Sequence, residues 1–430
     1  MKRLGAIVMF LLVASFIAPA QEKITLRVTS WAGIEEAKMD EQIIAEFMRL
    51  NPNVEVIYEP VPEGYYQKIL TDIAAGTPPD VMLLDAELVP TYAVEEAVLL
   101  NLAPYAARMK DVWPGANLED YFDVVLEINR VGEAIYAFPK DFTPIVVFYN
   151  KRIFDKFGVS YPPAEWTWDE FMDTVKALTK DIDGDGETDV WGFAYVNWIG
   201  YNKPWIWAGG GSLLDPTRTM AQGYLNSSAT VRAVQFLVDL VKQGYSPDPE
   251  TLVALGGSMG VIYIGRAAMT TIGHWVLPYV KAEIEKGADI EIGITRIPRA
   301  PDAENATVIY ESGWAVPKMV KHKKLAVQLA AWLSSPYAQR VRCKPEGLAI
   351  SANKDIAREF AEASEIERIF LDIVVKDARP TLGSETKFYR PLIEETMNEA
   401  IEKVLIAGWT VKQALDWAAE RIDEEIEKRL

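Results

Sequence analysis

Hydrophobic and polar residues follow a repeating order in the first part of the chain. Ile24, Leu26 and Val28 alternate with polar residues, which predicts a strand, and the next segment has apolar residues at helical spacing over 35–50. The same order returns as a strand at 54–58, a helix at 65–75 and an apolar strand at 81–84. Alternating strands and helices predict a parallel sheet flanked by helices.

Two residues with functional side chains come directly after these predicted strands. Trp31 follows the first strand, and Asp85 follows the third. Ligands of parallel α/β sheets bind beyond the carboxyl ends of the strands. Trp31 and Asp85 are therefore candidate ligand contacts.

The middle of the chain continues the α/β order. Ile145–Tyr149 is a β-branched and aromatic run typical of a buried strand, and Pro139 is expected to interrupt the apolar residues before it. Gly158 is placed to end a short helix. Thr167 and Glu170 have the spacing of a capping box, which predicts that the next helix begins there.

Size and charge restrict the class of protein. The chain has 430 residues, more than one hydrophobic core of ordinary size accommodates, so two or more domains are expected. Half of the residues are hydrophobic, which indicates a globular chain. The formal net charge of −18 disfavours nucleic acid and anionic membrane surfaces as partners.

The N-terminus has the pattern of an export signal. Lys2 and Arg3 precede an apolar run at 4–17, and Ala18-Pro19-Ala20 has the small residues of a cleavage site. The apolar run is short for a bilayer span. We predict that residues 1–20 form a signal peptide cleaved near Ala20, which makes the protein periplasmic or secreted.

Cysteine and histidine are scarce. Cys343 is the only cysteine, so the chain has no lipid attachment point at the predicted cleavage site and no intramolecular disulfide. One thiol with His274 and His322 also leaves little for a cysteine protease or a histidine-ligated zinc site. We expect a free protein with no direct membrane anchor.

An acidic loop resembles an EF-hand calcium loop. Gly186 falls at the turn position of such a loop, and the ligand positions 1, 3, 5 and 9 fall on Asp181, Asp183, Asp185 and Asp189. The bidentate glutamate is absent, because position 12 is Gly192. The loop is either a structural Ca²⁺ site or an acidic surface turn, and we expect no required cofactor.

Tryptophan is concentrated between residues 191 and 215. This segment contains two tyrosines, several glycines and the four indoles Trp191, Trp198, Trp205 and Trp207. An indole offers a flat apolar face and one N–H donor, which complement the C–H face and hydroxyl rim of a pyranose. Core packing is the alternative, and we expect about half of these rings to be structural.

Several of these motifs occur together in one known family. The chain contains, in order, Pro139-Lys140-Asp141, Tyr149-Asn150-Lys151, Pro162-Pro163 and Trp166–Phe171. This set resembles the crossing between lobes in carbohydrate-binding proteins of ABC importers, the extracellular solute-binding proteins similar to maltose-binding protein. The segments 74–85 and 260–276 resemble other parts of the same family.

The resemblance implies a two-lobed α/β fold of the periplasmic-binding-protein (Venus-flytrap) type. Each lobe would be a mainly parallel sheet flanked by helices, and three hinge crossings would join the lobes. Matching the crossings assigns 21–139 and 311–376 to the N-terminal lobe, and 140–310 and 377–430 to the C-terminal lobe. We expect a monomer that closes on a di- or oligosaccharide and delivers it to the transmembrane permease subunits of an ABC transporter.

The resemblance also implies ligand contacts. Trp207 and Trp275 correspond to aromatic sugar contacts, Gly313 and Trp314 lie where the family approaches its ligand, and Arg379 begins the third crossing. The full candidate site is Trp31, Asp85, Asp141, Trp207, Trp275, Gly313, Trp314 and Arg379. None of these residues is expected to be catalytic.

Two alternatives stay open. An exported, acidic, Trp-rich chain is compatible with a glycoside hydrolase, whose two carboxylates would converge at about 5 Å or 6.5–9.5 Å; no eightfold β-α repeat supports this. Among binding proteins, the ligand could instead be a polyol, glycerol-phosphate or another non-sugar solute. Phosphate recognition calls for convergent arginines or helix N-termini, whereas the candidate cleft offers aromatic rings and carboxylates.

Overall fold

A mixed sheet is the framework of the molecule. The structure is a computed structural model that describes residues 23–95, 97–380 and 389–428. The strands are β1 (Ile24–Ser30), β2 (Val54–Pro60), β3 (Val81–Asp85), β4 (Arg130–Val131), β5 (Ala134–Ile135), β6 (Ala137–Asn150), β7 (Met269–Gly273), β8 (Ile292–Thr295), β9 (Thr307–Ala315) and β10 (Ala378–Pro380).

Helices cover both faces of this sheet. They are α1 (Ile34–Leu50), α2 (Tyr65–Ala74), α3 (Ala103–Met109), α4 (Asp123–Ile128), α5 (Lys151–Phe157), α6 (Trp168–Leu178), α7 (Ile199–Ala208), α8 (Ser228–Lys242), α9 (Pro249–Ala254), α10 (Gly257–Tyr263), α11 (Leu277–Glu285), α12 (Lys323–Leu333), α13 (Pro336–Arg342), α14 (Lys354–Ala363), α15 (Glu365–Asp377), α16 (Glu395–Leu405) and α17 (Val411–Glu427). Short 3-10 turns at Ala86–Leu88, Leu118–Asp120 and His274–Val276, and π-helical turns at Thr91–Glu95 and Tyr389–Glu394, join some of them.

The first three strands form the predicted parallel arrangement. β1 lies between β2 and β3, and both pairs are parallel. Leu26 and Val28 of β1 are fully buried, as their alternation with polar residues predicts. The carboxyl ends of these strands lie at the same edge of the sheet. The β-α-β-α-β prediction is confirmed.

Strand β6 belongs to two hydrophobic cores. Its first residues pack in a first core with β1 and β3, and its last residues pack in a second core. In that second part, Val147 faces one layer of helices while Val146 and Phe148 face the other, so both faces are covered. Pro139 does not interrupt the strand as expected, because β6 continues through it with a register shift between Pro139 and Asp141.

Within the mixed sheet, we call β1, β2 and β3 the first sheet and β6, β7 and β8 the second sheet. The second sheet differs from the mainly parallel sheet that we expected. Both β7 and β8 pair with β6 in the antiparallel sense. The reason is that β6 enters this sheet from the first core and therefore runs against its two neighbours. Strand β9 returns beside β6 in the antiparallel sense, and β10 adds to β9 in parallel.

All residues of helix α15 except Asp377 fall in the range 311–376 that we assigned to the N-terminal lobe, but the helix contacts strands of the second sheet. Phe370 packs against Phe148 of β6 at a ring distance of 6.1 Å. Arg296, just after β8, forms ion pairs of 2.6 Å with Asp372 and Asp377. Among the described residues the first core has no member from α15, and the chain crosses between the cores along the paired strands β6 and β9.

Local signals in the sequence predict the helix ends well. Gly158 ends α5 with a φ of 66°, a conformation that suits glycine. The side chain of Thr167 accepts from the Glu170 N–H while the Glu170 carboxylate accepts from the Thr167 N–H, so the capping box is confirmed. Ser364 separates α14 from α15, and its backbone is extended there.

The predicted signal peptide, residues 1–20, lies outside the described residues. Among the residues that the structure describes, no helix is both long and apolar enough to cross a membrane.

A buried ion pair ties α1 to α13 in the first core. The Arg342 guanidinium donates to Asp40 at 2.7 Å, and the two side chains are only 2% and 0% exposed. Arg342 also lies over the Trp314 ring at 5.3 Å, and Asp40 accepts from the Tyr58 hydroxyl at 2.8 Å. Removal of one partner would leave an uncompensated buried charge.

We expect Arg342→Met to lower the free energy of unfolding by about 3–5 kcal/mol, because Asp40 would stay buried without its cation. The double variant Arg342→Met/Asp40→Asn should recover more than half of that loss, since the amide keeps an acceptor for Tyr58 and removes the charge. Urea unfolding measures both values.

Arg358→Met is the control for this prediction. Arg358 pairs with Asp355 on the surface, where the side chains are 63% and 88% exposed, so its loss should cost less than about 0.5 kcal/mol. Equal losses at Arg342 and Arg358 would contradict the burial argument, as would a double variant no more stable than Arg342→Met.

Candidate ligand-binding site

The edge of the first sheet carries the two residues that the strand pattern singled out. Trp31 follows β1, is half-buried, and packs edge-on against Tyr65 at 5.4 Å and at a tilt against Tyr66 at 6.0 Å. Asp85 ends β3, and its backbone N–H donates to the Tyr66 hydroxyl at 3.2 Å. Tyr66 therefore links these two predicted residues.

Three strands bring carboxylates together where the chain crosses between the cores. Ser312 of β9 pairs with Asp85 of β3 on one side and with Asp141 of β6 on the other. The Ser312 hydroxyl donates to Asp141 at 3.4 Å. Two predicted site residues thus lie on either side of one serine, and sequence reasoning missed that serine.

Lys140 neutralises part of this charge. Its ammonium contacts the Asp141 carboxylate and lies 2.9 Å from the Glu36 carboxylate at the start of α1. Burial alone would lower the pKa of Lys140, but Asp141 and Glu36 raise it above the usual range. Lys140 in turn lowers the pKa of Glu36, so this pair stays charged.

Glu311, next to Ser312, is a buried carboxyl group of a different kind. Within the described residues, neither of its side-chain oxygens has a hydrogen-bond partner of good geometry. Burial raises its pKa well above the usual range, the nearby Asn129 amide opposes this shift, and the charges of Asp141 and Asp85 add to it. Burial thus disfavours the charged form of Glu311 at the crossing.

Four aromatic rings form a continuous wall on the second-core side. Trp198 stacks on Tyr310 at 5.6 Å and meets Tyr201 edge-on at 4.6 Å, and Tyr201 is nearly parallel to Trp275 at 6.4 Å. All four are half-buried, so each keeps surface for a ligand. Of the four, only Trp275 was in our predicted site; Trp198 and Tyr201 were noted only as members of a Trp-rich segment.

Glycines allow two of these indoles to lie flat on the backbone. A Cβ atom at Gly200 would come within 2.4 Å of the Trp198 ring, and one at Gly273 within 2.2 Å of the Trp275 ring. Any larger residue would push the ring away from its position. Gly200 and Gly273 therefore set the orientation of the aromatic wall.

A buried lysine connects the aromatic wall to the first core. Lys203 of α7 is fully buried, its ammonium is 3.7 Å from the Glu87 carboxylate just after β3, and it lies 5.2 Å from the Tyr310 ring centre. Burial lowers the pKa of Lys203 to about 8, although Glu87 and Glu394 oppose the shift. Sequence reasoning missed Lys203, because nothing in its local pattern marks it as buried.

Trp207 and Arg379 lie together in a neighbouring groove. The Arg379 guanidinium is 5.9 Å from the centre of the Trp207 ring, and that ring is 7% exposed. The groove has a volume of about 590 Å³ and is also lined by Ser212, Asp215, Arg218 and Tyr224. The structure brings these two predicted residues together, but Trp207 offers a ligand little surface.

The structure places Gly313 and Trp314 in the packing of the first core. Trp314 is 0% exposed, so its ring has no surface for a ligand in this structure. A Cβ atom at Gly313 would come within 2.6 Å of the Ala137 Cβ, which shows that this glycine lets β9 lie close to β6. We therefore correct the expectation that these two residues contact the ligand.

The acidic loop gathers three of its four aspartates. Carboxylate oxygens of Asp181, Asp183 and Asp189 lie within 4.8 Å of one another. Asp185 is not part of this cluster, and its carboxylate accepts from the Glu187 N–H at 2.7 Å. The metal prediction thus keeps three candidate ligands and loses Asp185.

The lowered pKa of Lys203 predicts how the stability of the fold changes with pH. This pKa is about 8 in the folded chain and about 10.4 for an unperturbed lysine, so between these values the unfolded chain binds more protons and stability rises with pH. Urea unfolding from pH 7 to pH 10 should show this rise, of up to about 3 kcal/mol, in the native chain and not in Lys203→Met. Parallel curves for the two proteins would show that Lys203 titrates normally.

Comparisons with known proteins agree with this architecture. The family model described as bacterial extracellular solute-binding protein matches residues 32–340. An ABC substrate-binding protein of Listeria monocytogenes, solved in complex with cycloalternan, superposes with a TM-score of 0.78 at 24% identity, over 94% of this chain and 99% of that one. The fold is therefore that of a two-lobed binding protein.

The matches to curated relatives differ in how much of each protein they cover. A galactooligosaccharide-binding protein of Bacillus subtilis (strain 168) is 25% identical over 425 residues, which cover 93% of this chain and 89% of that protein. The match to a binding protein of Brucella abortus (strain 2308), 24% identical over 277 residues, spans only 62% of this chain and 61% of the relative.

A two-core α/β fold with a candidate ligand site at its crossings is the architecture of a solute-binding protein. The chain belongs to the bacterial extracellular solute-binding protein family, whose model covers most of it. That family consists of binding proteins and not of enzymes.

Proposed function

We propose that the protein captures a di- or oligosaccharide at the crossing between its two cores and delivers it to an ABC permease. The observation that carries this proposal is the wall of four half-buried rings beside Asp85 and Asp141. Aromatic faces suit the C–H faces of pyranoses, and a carboxylate accepts from two vicinal hydroxyls. Relatives named for galactooligosaccharide and solved with cycloalternan support a saccharide.

Buried lysines hold carboxylate acceptors at the site. Lys140 pairs with Glu36 and Asp141, and Lys203 pairs with Glu87; the two lysines are at most 5% exposed, so they position the carboxylates and do not themselves face a ligand. A sugar hydroxyl would donate to Glu36 or Asp141, whose side chains are 18% and 12% exposed. Hydrogen bonds to charged groups contribute about 1.5–3 kcal/mol each, so a few of them suffice for specific binding.

Closure follows from the position of the site. The aromatic wall and Lys203 lie on the second-core side, whereas Trp31, Asp85 and Glu87 lie on the first-core side. A sugar that contacts both sides gains all its interactions only when the sides are close, and this differential affinity shifts the population. A change from 1:99 to 99:1 requires about 5.5 kcal/mol of preference for the closed state.

The proposal also includes the oligomeric state and the export of the protein. We propose a monomer without catalytic activity or an anchor of its own, exported and cleaved near Ala20. The short apolar run at 4–17 and the absence of a cysteine near the cleavage site support this. Mass spectrometry of the exported protein should find Gln21 as its first residue, and an acylated or intact N-terminus would contradict it.

A thermal-shift panel tests the function. Oligosaccharides should raise the melting temperature, with about 2.7 kcal/mol of stabilisation at 100 times the Kd. Glycerol, glycerol-phosphate and inorganic phosphate are the alternative arms, and a shift with these alone would favour the non-sugar reading. Chromatography of the recovered saccharide should find it intact, because cleavage would indicate a hydrolase.

Trp275→Ala should weaken binding of the saccharide about 10- to 100-fold, because it removes one face of the wall. Its melting temperature should change little, since the ring is half-buried at the site. Isothermal titration measures the affinity. Trp409→Ala is the matched control: this indole packs against Trp417 near the C-terminus, and its loss should leave the affinity unchanged. A Trp275→Ala protein with native affinity would show that the site is misplaced.

We also propose that Asp181, Asp183 and Asp189 hold a structural Ca²⁺. Hard carboxylate oxygens are the ligands that Ca²⁺ prefers, and the loop geometry already brings three of them together. Addition of Ca²⁺ should raise the melting temperature and leave the choice of sugar unchanged.

Asp185, which lies outside the cluster, provides a control for the calcium proposal. Asp181→Asn should abolish the Ca²⁺-dependent shift, whereas Asp185→Asn should keep it, because Asp185 is not a candidate ligand. Equal effects of the two substitutions, or a native protein that does not respond to Ca²⁺ and chelator, would leave the loop as an acidic turn.

A further inference from the structure

One end of the first sheet lies away from the candidate site. Strand β1 begins at Ile24 and reaches the site at Trp31, so its start marks the opposite end. Lys321 and His322, just before α12, line a groove there with residues at the starts of β1 and β3, namely Ile24, Thr25 and Asp80. The loop before α12 is therefore at the end of the first core remote from the crossing.

Exposed cations are concentrated at this end. They come from the C-terminal end of α3 and from the loop and first turn of α12, and we call them the basic patch: Arg108, Lys110, Lys318, Lys321, Lys323 and Lys324. Among the described residues, no side chain of this patch has a hydrogen bond or an ion pair. Lysines elsewhere on the surface do pair, as Lys38 does with Glu35 and Lys286 with Glu283.

Apolar side chains accompany the basic patch. A groove of about 300 Å³ between α3 and α12 has the buried Met109 as its floor and the half-buried rings of Tyr105 and Trp113 as walls. Arg108 and Lys324 line the same groove. Val112, also in the groove, is 73% exposed, and Met319 in the loop before α12 is 54% exposed.

We propose that this end of the molecule docks on an anionic lipid surface. The unpaired cations complement lipid phosphates, and tyrosine and tryptophan rings beside exposed apolar residues are typical of groups that lie at a membrane interface. Lys23, at the start of the described part of the chain, lines the same groove as Lys321 and adds a further cation at this end.

The overall negative charge does not oppose such docking at contact distance. The formal net charge is −18, but exposed charges are screened beyond about 8 Å at physiological salt. Asp80 is the one acidic residue that lines the two grooves, and Glu22 and Asp111 are the acidic residues directly next to lining residues in the sequence. At contact distance, the charge of the basic patch therefore determines the interaction more than the net charge of the whole chain does. Because the patch lies opposite the candidate site, docking leaves that site open, and the proposal does not depend on which solute is bound.

Vesicle binding tests the proposal. The exported protein is sedimented with vesicles of phosphatidylcholine, with and without phosphatidylglycerol, at physiological and at high salt. We expect binding only to the anionic vesicles, and its loss at high salt. The double variant Arg108→Ala/Lys324→Ala should weaken it about 30-fold, on the basis of the contribution of each basic residue near an anionic surface.

Matched variants separate the patch from general charge and from folding. Lys286→Ala/Arg358→Ala removes two exposed cations that pair elsewhere and should change binding less than about twofold. Lys318→Ser/Lys321→Ser touches no residue of the α3–α12 groove and should weaken binding about as much as the groove variant. Sugar affinity should be unchanged in all three proteins, which also shows that they fold.

Four results would overturn the proposal. They are equal binding to neutral vesicles, no binding to either kind, equal loss in the control variant, and binding of soluble short-chain phosphatidylglycerol without binding to vesicles. The last result would mean a site for a soluble anion and not a docking surface.

Discussion

The fold depends on one strand that two hydrophobic cores share. All 14 residues of β6 are buried, and the strand passes from the first core into the second without a break in its backbone. Because β9 returns beside it, the two cores are held by paired strands and not by a flexible linker. Relative motion of the cores must therefore bend these strands, and the register shift between Pro139 and Asp141 is the point of least regular pairing.

The same constraint explains why charged groups lie at the crossing. Buried charges require partners, and here each partner comes from a different part of the chain: Lys140 from β6 meets Glu36 from α1, and Lys203 from α7 meets Glu87 after β3. These pairs hold donors and acceptors at fixed positions between the cores. Glu311 adds a further buried carboxyl group, and burial together with the charges of Asp141 and Asp85 raises its pKa.

Local patterns in the sequence predict strands, helix ends and strand-end residues, because these depend on neighbours along the chain. The capping box at Thr167 and the position of Asp85 are examples. The direction in which a strand side chain points depends instead on pairing between strands that are distant in the sequence. Trp314 faces the first core because of its register against β3, and Lys203 is buried because α7 lies over β9. Neither register nor helix placement is visible in the local pattern, so the sequence did not show that Trp314 and Lys203 are fully buried.

A bound saccharide is expected to draw the two sides of the crossing together. Spin labels at Ile34→Cys and Tyr279→Cys measure this directly, since both positions are exposed, 77% and 61%, and follow the site residues Trp31 and Trp275. The native Cys343 is buried and would stay unlabelled. Pulsed dipolar spectroscopy should show a broad distribution of label distances without ligand and a narrow, shorter one with saturating oligosaccharide. An identical distribution in both conditions, with binding verified in the same sample, would contradict the account.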